Sequence, residues 1–84
     1  MKRNEKPSPK TFELFDFYLS VFFLTSGFKL TGTRRESSKR VAFVFEDKPG
    51  RNELTAKYFS GKARVNPIEY KSRINDLKSL IYNS

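Results

Sequence analysis

The sequence predicts an α+β fold in which a small antiparallel sheet packs against helices. Three observations lead to this: an apolar segment that follows Asp16, two neighbouring stretches with apolar residues at alternate positions, and a C-terminal stretch with apolar residues at helical spacing. We therefore predict a hairpin over residues 28–35 and 39–46, and helices at about 16–26, 52–60 and 67–82.

Residues 1–10 have the composition of a flexible basic arm, with two prolines, five charges and no large apolar side chain beyond Met1. We expect residues 11–84 to form a single compact domain, because a chain of 84 residues is near the lower limit for one apolar core. A third strand is possible at either of two places. Phe12 and Leu14 alternate with polar residues ahead of the first helix, and residues 62–65 are a second candidate at the sheet edge.

The first helix is predicted to begin at Asp16, whose carboxylate can cap free amides, and to stop at Gly27. This segment is apolar on almost every side, so it must be covered on more than one face. A sheet covers one face. The other needs the closing helix or a second copy of the chain, and the sequence slightly favours a homodimer.

The hairpin register follows from placing Phe43 and Phe45 beside Leu30 on the core side. The simplest register has Ser37-Ser38 as a two-residue loop, although a longer tip of the same parity remains open. It makes Arg35 and Arg40 cross-strand neighbours on the face away from the core, a like-charge pair that costs stability. The other expected pairs are Lys29 with Glu46, Glu36 with Lys39 and Gly32 with Phe43.

Two more helices follow a turn at residues 47–50. Asn52 is predicted to cap the first, which ends at Gly61. The second begins with Asn66-Pro67, an N-cap followed by proline at the first helical position, and Glu69 stands at the third. Its apolar stripe is Tyr70, Ile74, Leu77 and Ile81.

The residue types present argue against an enzyme. The chain has no Cys and no His, which removes thiolate nucleophiles, the commonest general base and most zinc ligands. Asp16, Glu46 and Asp47 are the acids that could meet in space, and they are too few for a hydrolytic metal site. We predict no catalytic residue, no metal, no cofactor and no small-molecule substrate.

No membrane-spanning segment is expected, because the apolar run over residues 14–24 is far shorter than the roughly 20 residues needed to cross a bilayer. The basic, polar N-terminal residues do not resemble a secretory signal. These features predict a soluble cytoplasmic protein.

The formal net charge of +8 favours an anionic partner, and we expect nucleic acid, DNA rather than RNA. Arginine presents a fork matched to phosphate oxygens, and a two-stranded ribbon fits the major groove of a duplex. Single-strand binding would instead need exposed aromatic rings among the basic groups. Of the four tyrosines that could serve, Tyr82 is the best exposed candidate, and most of the others (Tyr18, Tyr58 and Tyr70) are expected at core edges. The candidate nucleic-acid-binding residues are Arg34, Arg35, Lys39, Arg40, Lys71, Lys78, Lys2 and Arg3.

Two alternatives stay open. The hairpin cations can form a tip that is merely solvated and screened by salt. The protein can also be a protein–protein interaction module, a homodimer whose basic surface serves solubility only.

Several segments resemble a family known as domain of unknown function 5659, found in microbes and their viruses. The resemblance covers residues 12–82 and implies a single compact domain with no assigned catalytic residue. It also implies an accessory factor of a phage, virus or mobile element, in the host cytoplasm if viral. The similar segments are FDFYL at 15–19, Gly27, RVAFVFED at 40–47, YFSG at 58–61 and LKSLIY at 77–82.

Overall fold

The computed structural model describes residues 10–83 and has an α+β architecture, as predicted. A three-stranded antiparallel sheet with strand order β1-β3-β2 is accompanied by three helices. The elements in chain order are β1 (Thr11–Leu14), α1 (Phe17–Thr25), β2 (Leu30–Ser37), β3 (Arg40–Glu46), α2 (Arg51–Ser60) and α3 (Pro67–Tyr82).

The third strand is β1, which pairs with β3. The alternative edge strand at 62–65 is wrong, since those residues form an irregular connection between α2 and α3. The backbone carbonyl of Lys10 accepts a hydrogen bond from the Asp47 amide at 2.8 Å and so extends the pairing of β1 with β3 by one residue. Residues 1–9, most of the predicted arm, lie outside the described residues.

A local capping residue marks one end of each helix. The Asp16 carboxylate accepts a hydrogen bond from the Leu19 amide at 3.0 Å, and Asn66 accepts from the amides of Ile68 and Glu69. Gly61 ends α2 with φ +78°, a left-handed conformation that side chains disfavour. One cap was wrong: α2 begins after Gly50, so Asn52 lies inside the helix.

Aromatic rings dominate the core. Phe23 of α1 lies 4.8 Å from Phe28, 5.5 Å from Phe12 and 6.0 Å from Phe45, measured between ring centroids. Phe12 stacks on Phe45 across the β1–β3 pair. Edge-to-face and stacked pairs of this kind add to the free energy gained by burying the rings.

Helix α3 covers a further side of α1. α3, which is described along its whole length, has one buried residue, Leu77, with 1% of its surface exposed, and Leu77 belongs to the α1-centred core. The Tyr70 hydroxyl donates to the backbone carbonyl of Tyr18 at 3.2 Å, and Tyr58 of α2 contacts Phe22. Of the two coverings that the sequence left open, the structure has the closing helix. The homodimer remains a prediction, but the need to cover α1 is no longer a reason for it.

The hairpin register differs from the prediction beyond Leu30. Leu30 pairs with Phe45 as expected, but Thr31 is an extra residue, and its hydroxyl donates to the Val44 carbonyl at 3.1 Å. A bulge of this kind moves every later residue of the strand by one position relative to its partner strand. A second irregularity follows at Glu36, so the turn is at Ser38-Lys39 rather than Ser37-Ser38.

Three of the four expected cross-strand pairs are therefore wrong. Arg35 lies opposite Val41 and Arg40 opposite Ser37, Gly32 lies opposite Val44, and Glu36 contacts Arg34 rather than Lys39. The Lys29–Glu46 pair is confirmed, with 3.9 Å between the amine and a carboxylate oxygen. The shift also exchanges the faces of two arginines: Arg34 now lies on the face away from α1, called here the outer face, and Arg35 lies on the helix side.

Candidate nucleic-acid interface

Arg34, a predicted phosphate contact, is already bound to carboxylates. It makes two hydrogen bonds to Glu13, at 2.9 and 2.6 Å, and lies 3.5 Å from a carboxylate oxygen of Glu36. Because Arg34 is opposite Ala42 and Glu13 is opposite Val44, this ion pair crosses β3 on the outer face. The hydrogen bond from Arg34 lowers the pKa of Glu13, and Glu13 in turn raises the pKa of Arg34. Arg34 is thus not a free cation for a phosphate.

Arg40 lies over an aromatic ring. Its guanidinium carbon is 3.9 Å from the centroid of Phe15, the residue that follows β1. A cation over a ring face is attracted by the ring's negative quadrupole, so this contact holds the side chain beside the hairpin turn. The cationic charge of Arg40 remains, and among the ion pairs of the described residues none involves it.

Arg35 and Lys39 line an open groove beside the hairpin turn. Its wall on the sheet side includes Val41 and Phe43, and α3 contributes Ile81. Arg35 makes one long hydrogen bond, 3.5 Å, to the Ser38 carbonyl. The remaining lining residues are Phe15, Phe17 and Ser38.

A second groove adjoins the first, since Phe17 and Ile81 line both. Tyr18, Tyr82 and Lys78 complete it. Tyr82 is 79% exposed and Tyr18 is 52% exposed. We call the two together the aromatic–basic groove; its cations are Arg35, Lys39 and Lys78, its exposed rings Phe15, Tyr18 and Tyr82. Within the described part of the chain, no acidic residue lines it.

The other predicted contacts do not join this groove. Lys71 is exposed on α3, seven residues before Lys78, which is about 10 Å along a helix, and it lines neither groove. Lys2 and Arg3 lie outside the described residues. The groove therefore unites three of the eight predicted residues, Arg35, Lys39 and Lys78, with Arg40 at its margin.

The three acids considered for chemistry are spread over local contacts. Asp16 caps α1, Glu46 faces Lys29, and Asp47 lies 3.4 Å from Arg51. Over residues 10–83, no cluster of three or more potential metal-ligating His, Cys, Asp or Glu side chains occurs. Over the same residues, no helix combines the length and the apolar character needed to span a membrane.

Two further cations lie over aromatic rings of the core near the β3–α2 turn. Lys48 lies 4.8 Å from the Phe28 ring centroid and donates to the Gly27 carbonyl at the end of α1, and Arg51 lies 4.5 Å from the Phe12 ring centroid. The depression there is also lined by Asp47 and Glu53. These cations have a structural role, and mixed charge distinguishes this depression from the aromatic–basic groove.

Among the groove rings, Phe15 and Phe17 were not predicted, and Tyr18 was expected at the edge of the core. They come from the short β1–α1 connection and the first turn of α1, whereas Tyr82 ends α3. Only the exposure of Tyr82 was expected. The one available signal was FDFY at 15–18, where rings flank a helix cap and not all can be buried.

Comparison with curated proteins and with solved structures finds no match. A family model described as a domain of unknown function (DUF5659) matches residues 9–83, and the chain belongs to that family.

Proposed function

We propose that the protein binds nucleic acid without catalysing a reaction, and that the aromatic–basic groove is the main contact surface. One observation carries the proposal. Arg35, Lys39 and Lys78 line two adjoining depressions that share Phe17 and Ile81, and no acidic residue among those described lines either one. Such a surface attracts phosphates, because the attraction of several cations adds while no carboxylate opposes it.

The distribution of acids supports this choice of surface over the outer face of the hairpin. There, Glu13 and Glu36 neutralise Arg34 and would repel a phosphate backbone. The net charge of +8 on the whole chain adds long-range attraction for a polyanion to the local attraction of the groove cations. Lys2 and Arg3 remain proposed secondary contacts, and an accessory role in a phage or mobile element remains a proposal.

A titration against labelled DNA tests the proposal. We would use a 12-nucleotide mixed-sequence strand and its duplex, each from about 50 to 200 mM salt. If Arg35, Lys39, Arg40 and Lys78 each hold one phosphate, log affinity should fall with log salt at a slope of about −3.6 for the duplex and about −2.8 for the strand.

Two double variants of equal net charge locate the contact. Replacing Lys39 and Lys78 by alanine should weaken binding and reduce the slope to about half, since two of four phosphate contacts are lost. Replacing Lys57 and Lys62, exposed lysines outside both grooves, should leave the slope unchanged. Absent or salt-independent binding of either DNA would reject nucleic-acid binding. Equal losses in the two double variants would reject the groove.

A further inference from the structure

We propose that the aromatic–basic groove takes a single strand, with bases stacked on Tyr18 and Tyr82 and phosphates held by the neighbouring cations. This inference rests on the proposed nucleic-acid binding and specifies its ligand. Its basis is the placement of two exposed rings, 52% and 79% exposed, on the same groove as the basic groups. Proteins that bind single strands combine a basic path for the backbone with aromatic faces for the bases.

The rings are available to a ligand. Phe17 and Tyr18 form a T-shaped pair with ring centroids 5.1 Å apart, and about half of the surface of Tyr18 remains exposed. Tyr82 is the last residue of α3 and has no ring partner among the described residues. Every base has a face that can stack on a ring, so such a site tolerates many sequences.

The shape of the surface disfavours a duplex. The groove is a recess whose walls come from the hairpin turn at Ser38 and Lys39 and from the end of α3. A duplex is read by an element that projects into its major groove, and its bases are already stacked on each other. On the outer face of the hairpin, Arg34 is neutralised by carboxylates. The ribbon-in-major-groove hypothesis therefore loses its leading cation.

The cations are placed to follow a backbone past the rings. Lys78 lies one helical turn before Tyr82 on α3, and the two line the same groove. Arg35 and Lys39 lie beyond Phe17 and Ile81, the two residues that both grooves share. A strand that passes from the first group to the second would meet rings and cations in succession, as short single-strand sites require.

The test compares the same 12-nucleotide DNA strand alone and as a duplex, at about 50 mM salt. We expect the strand to bind at least about 10-fold more tightly than the duplex, since only the strand gains base stacking. Tyr82→Ala should weaken strand binding about 5- to 100-fold, while Tyr82→Phe, which keeps the ring, should restore most of the affinity. The salt slope should be the same in all three proteins, because the phosphate contacts are unchanged.

Phe59→Ala is the matched control. Phe59 is an exposed ring, 68% exposed, on α2 and outside both grooves, so its removal should leave strand affinity unchanged. Equal affinity for strand and duplex, or Tyr82→Ala equal to wild type, would overturn the single-strand inference while the proposed function stands. Failure of both DNA forms to bind would reject the proposed function itself.

Discussion

Leu77→Ala tests how the fold is held together, because Leu77 is the one residue of α3 that is buried in the core around α1. Its side chain is 1% exposed, so truncation leaves a cavity as well as losing apolar contact. A buried Leu→Ala change costs about 2–5 kcal/mol. A domain of this size is expected to have a total unfolding free energy of about 4–13 kcal/mol. The variant should therefore lose at least about a sixth of its stability, and a larger share if the total lies at the lower end of that range.

Urea denaturation followed by circular dichroism measures this loss. With a slope near 1 kcal/mol per molar urea, typical of small domains, the midpoint should fall by about 2 M or more. Ile68→Ala is the control on the same helix, since Ile68 is 79% exposed, and it should change stability by less than about 0.5 kcal/mol. If Leu77→Ala proved as mild as the control, α3 would not pack on α1 as described.

The same experiment addresses the homodimer. Because α3 of the same chain covers α1, the wild-type midpoint should not depend on protein concentration. A midpoint that rises with concentration would instead mean that a second chain contributes to the folded state, and the interaction-module alternative would gain support.

Three other predictions concern local contacts. Arg40→Glu should lower stability by about 0.5–1 kcal/mol, because it removes the cation from the Phe15 ring, and a thermal melt that rises instead would contradict that contact. Arg34 lowers the pKa of Glu13, so this carboxylate stabilises the fold above the ordinary glutamate pKa, and its contribution disappears as pH falls through the lowered value. The difference in unfolding free energy between wild type and Glu13→Gln should therefore shrink on acidification below about pH 4. A constant difference from about pH 7 to about pH 2 would refute this. Asn66→Ala should cost about 0.5–2 kcal/mol in urea, since two amides lose their cap, and an unchanged midpoint would rule the cap unimportant.

The sequence predicted those parts of the fold that depend on neighbouring residues. Asp16, Gly61 and Asn66 cap helices through bonds within a few residues, so their roles can be read from local spacing. The segment that forms α1 is apolar on almost every side, and this predicted that more than one element must cover it. Which element does so depends on tertiary packing and stayed open.

The bulge at Thr31 explains most of what could not be predicted. Beyond Leu30, residues 31–37 of β2 include no apolar side chain whose face would reveal the extra residue, so the sequence pattern fits the regular register as well as the observed one. The faces of Arg34 and Arg35 were therefore exchanged in the prediction. The partner of Arg34 was also hidden, since Glu13 comes within reach only when β1 pairs on the far side of β3.

The groove could be predicted only in part for a similar reason. Charge identified its cations, but Tyr18 and Tyr82 are separated by most of the chain and meet through the packing of α3 on α1. The spacing of apolar residues within one helix carries no information on which residues of another helix will lie beside it. The candidate site thus needed the tertiary structure, although its residue types were suggested by composition.

Chemical-shift mapping by NMR tests the binding surface most directly. The 12-nucleotide strand would be titrated into isotope-labelled protein at about 50 mM salt. Binding in the groove predicts that the largest amide shifts occur at groove residues such as Phe17, Lys39 and Tyr82, with little change at Glu13 and Arg34 on the outer face. Shifts centred on Glu13 and Arg34, or no shifts at saturating strand, would contradict binding in the groove.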